Sequence, residues 1–475
     1  MEQLTILVAS ISDWLWGTPL ISLVMCTGIF LTIFFKGRYL TKVKFNFDNT
    51  YGKMFASDKG EGKGTVSGFA AACTALANTL GVGNIGGVAT AIVSGGPGAV
   101  FWIWIADIFG VSTKACEILM GQRYRVKYEK SIDEYVSDRS FVFEGTTGSR
   151  VGGIIIALFV ILFGPWTNAV QSEAVTSSIA QLIDIDMRIV LAILGISVFV
   201  TVYGGIRTIA NTLEKVVPFM AIGYILAVLV ITLLNFQNIP DVIVSIFKGA
   251  FSPVAAAGGF LGASMKEAIR FGIARGVYSS DTGTGYGMVA HSAAITDHPI
   301  RQSLWGWGEV MADMVICTMT ALAILITQSH IKFGDITSAG LTTAAFGEAL
   351  GTVGVVFMAI AITIFAWTTI VGMYYSVEKS VNYIFGDTKF NKVATRLFLL
   401  YFLVPVCLLP NIEANLLWAM TDLITGLYVI LTVFLIVMNL KELKRLFNDF
   451  WERFIPAKER GENPPIVSYG EFIEK

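Results

Sequence analysis

Long apolar stretches separated by short polar connections run the whole length of this 475-residue chain. A helix crosses the core of a bilayer with about 17 to 25 apolar residues, and eleven stretches reach that length. They lie at roughly 14–35, 65–94, 98–121, 151–179, 189–206, 216–235, 250–292, 303–327, 351–385, 395–411 and 413–438. The pattern predicts an all-α polytopic membrane protein with eleven transmembrane helices.

Composition supports the same class. Hydrophobic residues make up 54% of the chain and charged residues 15%, whereas soluble domains carry roughly 25% charged residues. A soluble enzyme, a disordered protein and a disulfide-built secreted domain are therefore excluded. The net charge of −1 offers no basic surface for nucleic acid, and no HExxH motif or nucleophile–base pair suggests an enzyme. The five cysteines lie in apolar stretches without a CxxC pair, which favours buried thiols over a metal site.

Basic residues collect in alternate connections, as they do on the cytoplasmic side of membrane proteins. The first connection holds seven of them between positions 36 and 63, whereas connections such as GGPGA and PNIEAN hold none. This places the N-terminus outside and the C-terminus in the cytoplasm. No basic region precedes the first apolar run, so we predict no cleaved signal peptide. Residues 37–64, 122–150 and 441–475 are expected to be a charged segment, a polar loop and a tail, all cytoplasmic.

Glycines interrupt two of the predicted spans. Span two contains the sequence LANTLGVGNIGG, with glycines at 81, 83, 86 and 87 and the polar Asn84 at mid-depth. Span seven is also rich in glycine and polar residues, and its break is expected at Gly258-Gly259 or, preferably, at Phe271-Gly272. Each of these spans opens a block of five, residues 65–235 and 236–440, behind an additional N-terminal unit, residues 1–64. Because five is odd, the two blocks begin from opposite sides of the membrane.

Paired broken helices in two inverted halves are typical of the binding site of a secondary transporter. Lipid does not satisfy free backbone groups, so a broken helix persists where protein, ions or solute bind them. Freed N–H groups favour a carboxylate, and freed carbonyls favour a hard cation. Two alternatives are less well supported: close helix packing through small residues, and a dinucleotide-binding GxGxxG, which requires a preceding strand that this apolar span does not provide.

Three runs resemble the alanine or glycine:cation symporters of the amino acid–polyamine–organocation superfamily. They are ALANTLGVGNIGGVATAIVSGGPGAVFWIW (76–104), KVVPFMAIGYIL (215–226) and FGIARGVYSSDTGTG (271–285). The resemblance covers about residues 65 to 440 and implies the ten-helix inverted repeat of the leucine transporter, preceded by one extra helix. One departure is visible, since the family's usual Ser-Asn-Glu-Ala-Gly reads Ser279-Ser280-Asp281-Thr282-Gly283 here.

The substrate site implied by these motifs suits a zwitterionic amino acid. Backbone N–H groups at Gly81, Val82 and Gly83, beside Thr79 and Asn84, would hold the carboxylate. Gln171 in span four is expected to face the solute, although an interhelical hydrogen bond is an alternative role. Phe271 and Gly272 would accept the ammonium and cap the pocket, and Trp367 would limit its size; ordinary helix packing is equally compatible with both aromatic residues.

The ion site follows from the resemblance of Phe365-Ala366-Trp367-Thr368-Thr369 to a leucine-transporter pattern. It implies that sodium binds the hydroxyls of Thr368 and Thr369 and a carbonyl near Phe365. The carbonyls of Ala77 and Leu80 complete the set, because sodium, like calcium, favours several oxygen ligands. Adjacent threonines in a helix otherwise bond the preceding turn. Residues 216–234 carry no charge that could replace sodium.

The sequence therefore predicts a sodium-coupled symporter of the cell membrane that imports a small neutral amino acid, alanine or glycine, by alternating access. No organic cofactor, no nucleic acid and no obligatory protein partner is expected. A same-fold symporter for glutamine or another small solute is the alternative, and a channel is less well supported because the chain has one asymmetric polar core. The intramembrane acids Asp107, Glu117, Glu173, Asp313 and Asp422 are functional candidates by default, and the sequence assigns no role to any of them.

Overall fold

A computed structural model describes residues 2–54, 61–251, 265–333, 336, 338–408 and 414–465. The helices of the first half are α1 Glu2–Leu15, α2 Thr18–Phe34, α3 Arg38–Thr41, α4 Val43–Asn49, α5 Gly68–Thr79, α6 Val88–Gly95, α7 Ala99–Arg123, α8 Arg139–Thr147, α9 Arg150–Phe163, α10 Ala169–Ala180, α11 Met187–Tyr203 and α12 Gly205–Leu234. Those of the second half are α13 Ile239–Phe251, α14 Met265–Ser280, α15 Tyr286–Ser292, α16 Pro299–Ser303, α17 Trp305–Ile326, α18 Ser329–Lys332, α19 Ser338–Leu350, α20 Thr352–Phe385, α21 Lys389–Leu408, α22 Ala414–Asn448 and α23 Ile455–Glu459. A two-stranded antiparallel sheet, β1 Val126–Tyr128 and β2 Glu134–Val136, completes the described elements.

The predicted spans correspond to these helices. Within the described residues, eight helical segments are long and apolar enough to cross a membrane, and the bent pair α5–α6 makes a ninth. Helix α11 is a shorter apolar helix of 17 residues. The seventh predicted span, 250–292, begins at the end of α13 and includes α14 and α15, and its residues 252–264 lie outside the described residues. The all-α membrane architecture with two broken helices is confirmed.

The first broken helix unwinds where its glycines are. Ser67 caps α5 by accepting a hydrogen bond from the Ala70 N–H, and α5 ends at Thr79, because Leu80 takes an extended conformation. A π-helical turn, Gly83–Gly87, then leads into α6, and the two halves meet at a bend of 45°. The break is positioned as the sequence predicts.

The second break lies elsewhere than expected. Helix α14 runs unbroken through Phe271 and Gly272, so the prediction of a break there is wrong; the alternative at Gly258-Gly259 lies outside the described residues. A Cβ at Gly272 would collide with the Ala99 carbonyl oxygen and the Trp102 side chain, so this glycine allows α14 to pack closely on α7. The chain instead unwinds between α14 and α15, where Asp281, Gly283 and Gly285 have φ of 53°, 82° and 83°.

Segments outside the predicted spans are more ordered than the sequence indicates. The predicted polar loop 122–150 contains the β1–β2 hairpin and α8. An additional helix, α1, precedes the first predicted span, and α22 continues into the predicted tail, as far as Asn448. Helix α4 packs against the segment that follows α22, with the rings of Phe45 and Trp451 5.0 Å apart.

Candidate substrate and ion site

The two breaks meet at a small cavity of about 20 Å³, which has room for roughly one water molecule. Its walls come from both broken helices and from α10, α20 and α22 with the turn before α10. The lining residues are Asn78, Thr79, Gly81, Gly83, Thr167, Gln171, Tyr278, Asp281, Tyr286, Thr369, Met373, Thr421 and Thr425. Most of these side chains are polar, although they are buried at the depth of the membrane spans. Such a polar, enclosed meeting point of two unwound helices is the arrangement of a solute site.

Backbone N–H groups of the first break are available as donors to side chains. The Gly81 N–H donates to Asn84 Oδ1 at 2.9 Å, and the Val82 N–H donates to Gln171 Oε1 at 3.3 Å. The acceptors at the first break are therefore two neutral side-chain amide oxygens. A carboxylate is a stronger acceptor than a neutral amide oxygen for such donors, and the bond to Gln171 is the longer of the two.

Asn84 also connects the first break to buried acids. Its amide group donates to Asp313 of α17, and the hydroxyl of Ser279, at the end of α14, donates to the same carboxylate at 3.0 Å. Asp313 and its neighbour Asp107 of α7 are both fully buried. Asn84 thus joins both broken helices to α17 through one polar cluster.

The predicted sodium ligands converge on α20. The hydroxyl of Thr369 lies 2.9 Å from the Ala77 carbonyl oxygen and 2.9 Å from the Phe365 carbonyl oxygen. The Thr368 hydroxyl reaches the same Phe365 oxygen at 2.9 Å. Four oxygen atoms on two helices are therefore joined by these contacts. Hard cations favour such oxygen sets, and hydroxyls can rotate to turn their lone pairs toward an ion.

The backbone groups freed at the second break are bound by buried charges. Glu117 accepts from the N–H groups of Gly283 and, at 2.9 Å, Gly285. Lys114 donates to the carbonyl oxygens of Ser280 and Asp281 at 3.3 and 3.4 Å. Because a lipid environment requires every backbone polar group to be satisfied, these two side chains of α7 account for the stability of the unwound loop.

A second, larger cavity of about 450 Å³ lies beside the middle of α14 and is lined by Glu173, Arg275 and Asp422 among others. Arg275 binds Asp422 of α22 with two hydrogen bonds of 2.9 and 2.7 Å. Its guanidinium also lies 5.2 Å from the Trp418 ring, and the Tyr278 and Trp418 rings are 5.5 Å apart. These four side chains lie between the large cavity and the small one, because Tyr278 lines the small cavity and the other three line the large one.

The structure brings some of the predicted residues together and separates others. Thr79, Gly81, Gly83, Gln171 and Thr369 line the small cavity. Val82, Asn84, Ala77 and Phe365 form hydrogen bonds with those lining residues, and the Thr368 hydroxyl bonds the Phe365 carbonyl. Leu80 is buried at the unwound end of α5. Phe271, Gly272 and Trp367 lie outside the lining, and Phe271 and Trp367 pack on the hydrophobic core.

Sequence reasoning missed several lining residues. Thr421 and Thr425 stand one turn apart on α22, a spacing that places both hydroxyls on one helix face and that the sequence displays. Tyr278 and Tyr286 flank the second break, so their role depended on locating that break. Met373 follows Thr369 by one turn of α20, so the helical spacing also predicts that both residues lie on one face.

Comparisons with known proteins agree with this architecture. The family model described as sodium:alanine symporter family matches residues 1–464. An uncharacterised transporter of Haemophilus influenzae is 36% identical over 89% of this chain and 90% of its own length. The sodium/alanine symporter AgcS of Methanococcus maripaludis is 33% identical over 88% and 91%. A probable sodium/glutamine symporter, GlnT, of Bacillus subtilis is 30% identical over 96% and 92%.

Solved structures share the fold at low sequence identity. MhsT, crystallised with L-phenylalanine, superposes with a TM-score of 0.56 at 13% identity and covers 78% of this chain and 88% of its own. A Na⁺-coupled sialic acid symporter superposes with a TM-score of 0.55 at 14% identity, over 90% and 86%. The chain therefore belongs to the sodium:alanine symporter family, and it is a sodium-coupled symporter of the membrane with the fold of the leucine transporter.

Proposed function

We propose that this protein imports a small neutral amino acid, alanine or glycine, together with sodium. The observation that carries the proposal is the small cavity between the two breaks, because it combines donors for a carboxylate with hydroxyl and carbonyl oxygens for a cation. Binding of the amino acid and binding of sodium are expected to favour each other, because each ligand orders groups of the first broken helix that the other ligand also needs.

Size supports a small substrate. The cavity holds about 20 Å³, so an amino acid enters by displacing flexible neighbours such as Met373 and by taking the Gln171 contact. Each additional methylene group of a substrate side chain requires further displacement in a closely packed interior. Glutamine is the second candidate, because a relative 30% identical to this chain carries that substrate in its name.

The sodium site of this proposal consists of the Thr368 and Thr369 hydroxyls and the carbonyls of Ala77, Leu80 and Phe365. Support comes from the 2.9 Å contacts that join Thr369 to both helices. When sodium enters, the two hydroxyls are expected to give up their carbonyl bonds and to present oxygen lone pairs. Sodium would then fix the unwound end of α5 against α20.

We further propose that residues 65–235 and 236–440 are inverted halves, preceded by residues 1–64 and followed by a tail, residues 441–475. The basic residues in alternate connections support an orientation with the N-terminus outside the cell membrane and the C-terminus in the cytoplasm. Alternating access would then close the outer path at Arg275 and Asp422, which are paired in this conformation. Cysteine labelling from each side of the membrane, at residues added to either terminus, tests the orientation.

Transport in proteoliposomes tests the function. The purified protein should take up labelled alanine and glycine when a sodium gradient is directed inward, and potassium in place of sodium should abolish accumulation. Uptake that follows a proton gradient and ignores sodium would overturn the ion assignment. Uptake of glutamine in preference to alanine would replace the substrate and leave the coupling intact.

A further inference from the structure

We infer that the carboxylate of Asp281 binds the ammonium group of the transported amino acid. This inference rests on the proposed function, and it names the residue that would select substrates with an amino group. Asp281 is the first residue of the unwound loop between α14 and α15, and it lines the small cavity.

The carboxylate of Asp281 is buried without a complete set of partners. The residue is 6% exposed, and no group of the described chain forms a hydrogen bond with its Oδ2 atom. A buried carboxylate is costly unless it is paired and hydrogen-bonded. Its burial at the wall of a solute cavity therefore calls for a positively charged ligand.

The backbone is constrained to hold Asp281 in place. Its φ of 53° lies in a region that residues other than glycine rarely adopt, and such conformations cluster at ligand sites. Its carbonyl oxygen accepts from the Thr284 hydroxyl at 2.7 Å and from Lys114 at 3.4 Å. These bonds occupy the carbonyl and leave the side chain directed to the cavity that it lines.

The surrounding charges do not balance without a ligand. The described ionisable groups around the loop include the cations Lys114 and Arg139 and the acids Glu117, Asp281, Glu309 and Asp313. Glu309 pairs with Lys114 at 3.5 Å and also contacts His291.

His291 lies in the neighbouring cluster and does not line the cavity. Its Nδ1 is 2.7 Å from Gln302 Nε2, and its Nε2 contacts Glu309. Two cations thus face four carboxylates, and a positively charged ligand would compensate part of this excess of negative groups.

The first break favours a zwitterion over a simple cation as the ligand. The N–H groups of Gly81 and Val82 belong to this break, and the break lines the same cavity as Asp281. Backbone donors and a carboxylate at one cavity match the two ends of an amino acid. A metal ion alone would leave the N–H donors without a charged acceptor.

Two variants of Asp281 test the inference in proteoliposomes, with alanine uptake measured in competition with lactate and propionate, which lack the amine. Asp281→Asn should raise the KM for alanine at least about tenfold, the loss expected for a charged hydrogen bond. It should also weaken the preference for alanine over lactate by a similar factor, while the sodium concentration for half-maximal uptake stays the same. Asp281→Glu keeps the charge and should retain the preference for the amine.

The control is Asp184→Asn, which removes an exposed carboxylate from the connection between α10 and α11 and should behave as the unmodified protein. A changed sodium requirement with unchanged discrimination between alanine and lactate would overturn the inference and make Asp281 an ion ligand. Unaltered kinetics of Asp281→Asn would overturn it as well. Failure of the proposed function is distinct from both, because the unmodified protein would then take up no amino acid. If Asp281→Asn fails to fold, loss of amine preference in Asp281→Glu would count against the inference in the same way.

Discussion

The hydroxyl of Thr369 bridges two helices that belong to different halves of the chain, 2.9 Å from the Ala77 carbonyl oxygen on α5 and 2.9 Å from the Phe365 carbonyl oxygen on α20. This contact joins the first broken helix to a helix that is continuous over 34 residues. The proposed sodium ion would replace the hydroxyl proton as the link between them.

Thr369→Ala removes one of the proposed sodium ligands. We expect the sodium concentration for half-maximal alanine uptake to rise about tenfold, equivalent to about 1.4 kcal/mol, with little change in the ranking of amino acids. Thr363→Ala is the matched control, since the Thr363 hydroxyl bonds the Ala359 carbonyl of its own helix. Equal sodium requirements in the two variants would remove Thr369 from the ion site.

Gly81→Ala tests the close approach at the first break. A Cβ at this position would lie 2.5 Å from Thr369 Oγ1, and that hydroxyl is fixed by its two carbonyl contacts. Uptake should therefore fall at least about tenfold, because overpacking displaces neighbouring groups at a cost of about 1–3 kcal/mol. Gly223→Ala on α12 has open space around it and should transport normally; normal uptake by Gly81→Ala would contradict the close packing of α5 on α20.

The pair Arg275–Asp422 should contribute strongly to stability. The two side chains are 10% and 15% exposed, and removing one member of a buried pair leaves the other charge uncompensated. Asp422→Asn should lower the free energy of unfolding by about 3 kcal/mol. The control Asp13→Asn breaks a pair in which Asp13 is 70% exposed, and its effect should stay below about 1 kcal/mol. Thermal unfolding in detergent separates the two, and similar losses would show that the buried pair adds nothing of its own.

A pH-dependent contact holds the β1–β2 hairpin to the connection after α20. Burial alone would raise the pKa of Asp387, but the N–H groups of Lys130, Ser131 and Glu129 and the Ser131 hydroxyl bind its carboxylate and lower the pKa to about 2. Because this lies below the ordinary aspartate value of about 3.9, the stabilisation is fully present above that value. It is lost as the pH falls toward the folded-state pKa.

Asp387→Asn should therefore unfold more easily than the unmodified protein at pH 7, by about 1 kcal/mol, as for the loss of a helix cap. The difference in the free energy of unfolding should persist at about pH 5 and shrink from about pH 4 downward, as the carboxylate of the unmodified protein takes up its proton. Asp48→Asn, at an exposed position of α4, should show no such trend. A difference that grows on acidification would contradict the stabilising role of the ionised Asp387.

Hydropathy and glycine placement were enough to predict the spans and the first break. Gly81, Gly83, Gly86 and Gly87 cluster in a single apolar segment, and the helix unwinds beside them. Thr368 and Thr369 are also a local pattern, two adjacent hydroxyls in an apolar helix, and their role as sodium ligands stays a prediction. In each case the signal lies within a few residues of the feature it specifies.

The second break was misplaced because its support is distant in sequence. The loop at 281–285 is held by Glu117 and Lys114 of α7 and by Arg139 at the start of α8, which donates to the Thr284 carbonyl. The nearest of these partners along the chain, Arg139, is 145 residues away. The prediction of a break at Phe271-Gly272 failed because a single sequence does not distinguish a glycine that allows a helix to unwind from one that allows two helices to pack closely. Gly272 is of the second kind. The hairpin was missed for a similar reason, since it depends on Asp387.

The contacts of Lys114 and Glu117 with the second break lead us to expect that α7, α15 and α17 move as one body. Lys114 and Glu117 fix the loop 281–285 to α7, and a Cβ at Gly121 or Gly306 would collide with the backbone of Met288 or Ala115, so α15 and α17 pack on α7 with no space between them. Spin labels on α7 and α15 should keep a constant separation through the transport cycle, while labels on α7 and α20 change theirs. We therefore expect the moving part of this transporter to contain helices from both halves of the chain. Neither half alone would then contain a complete moving part.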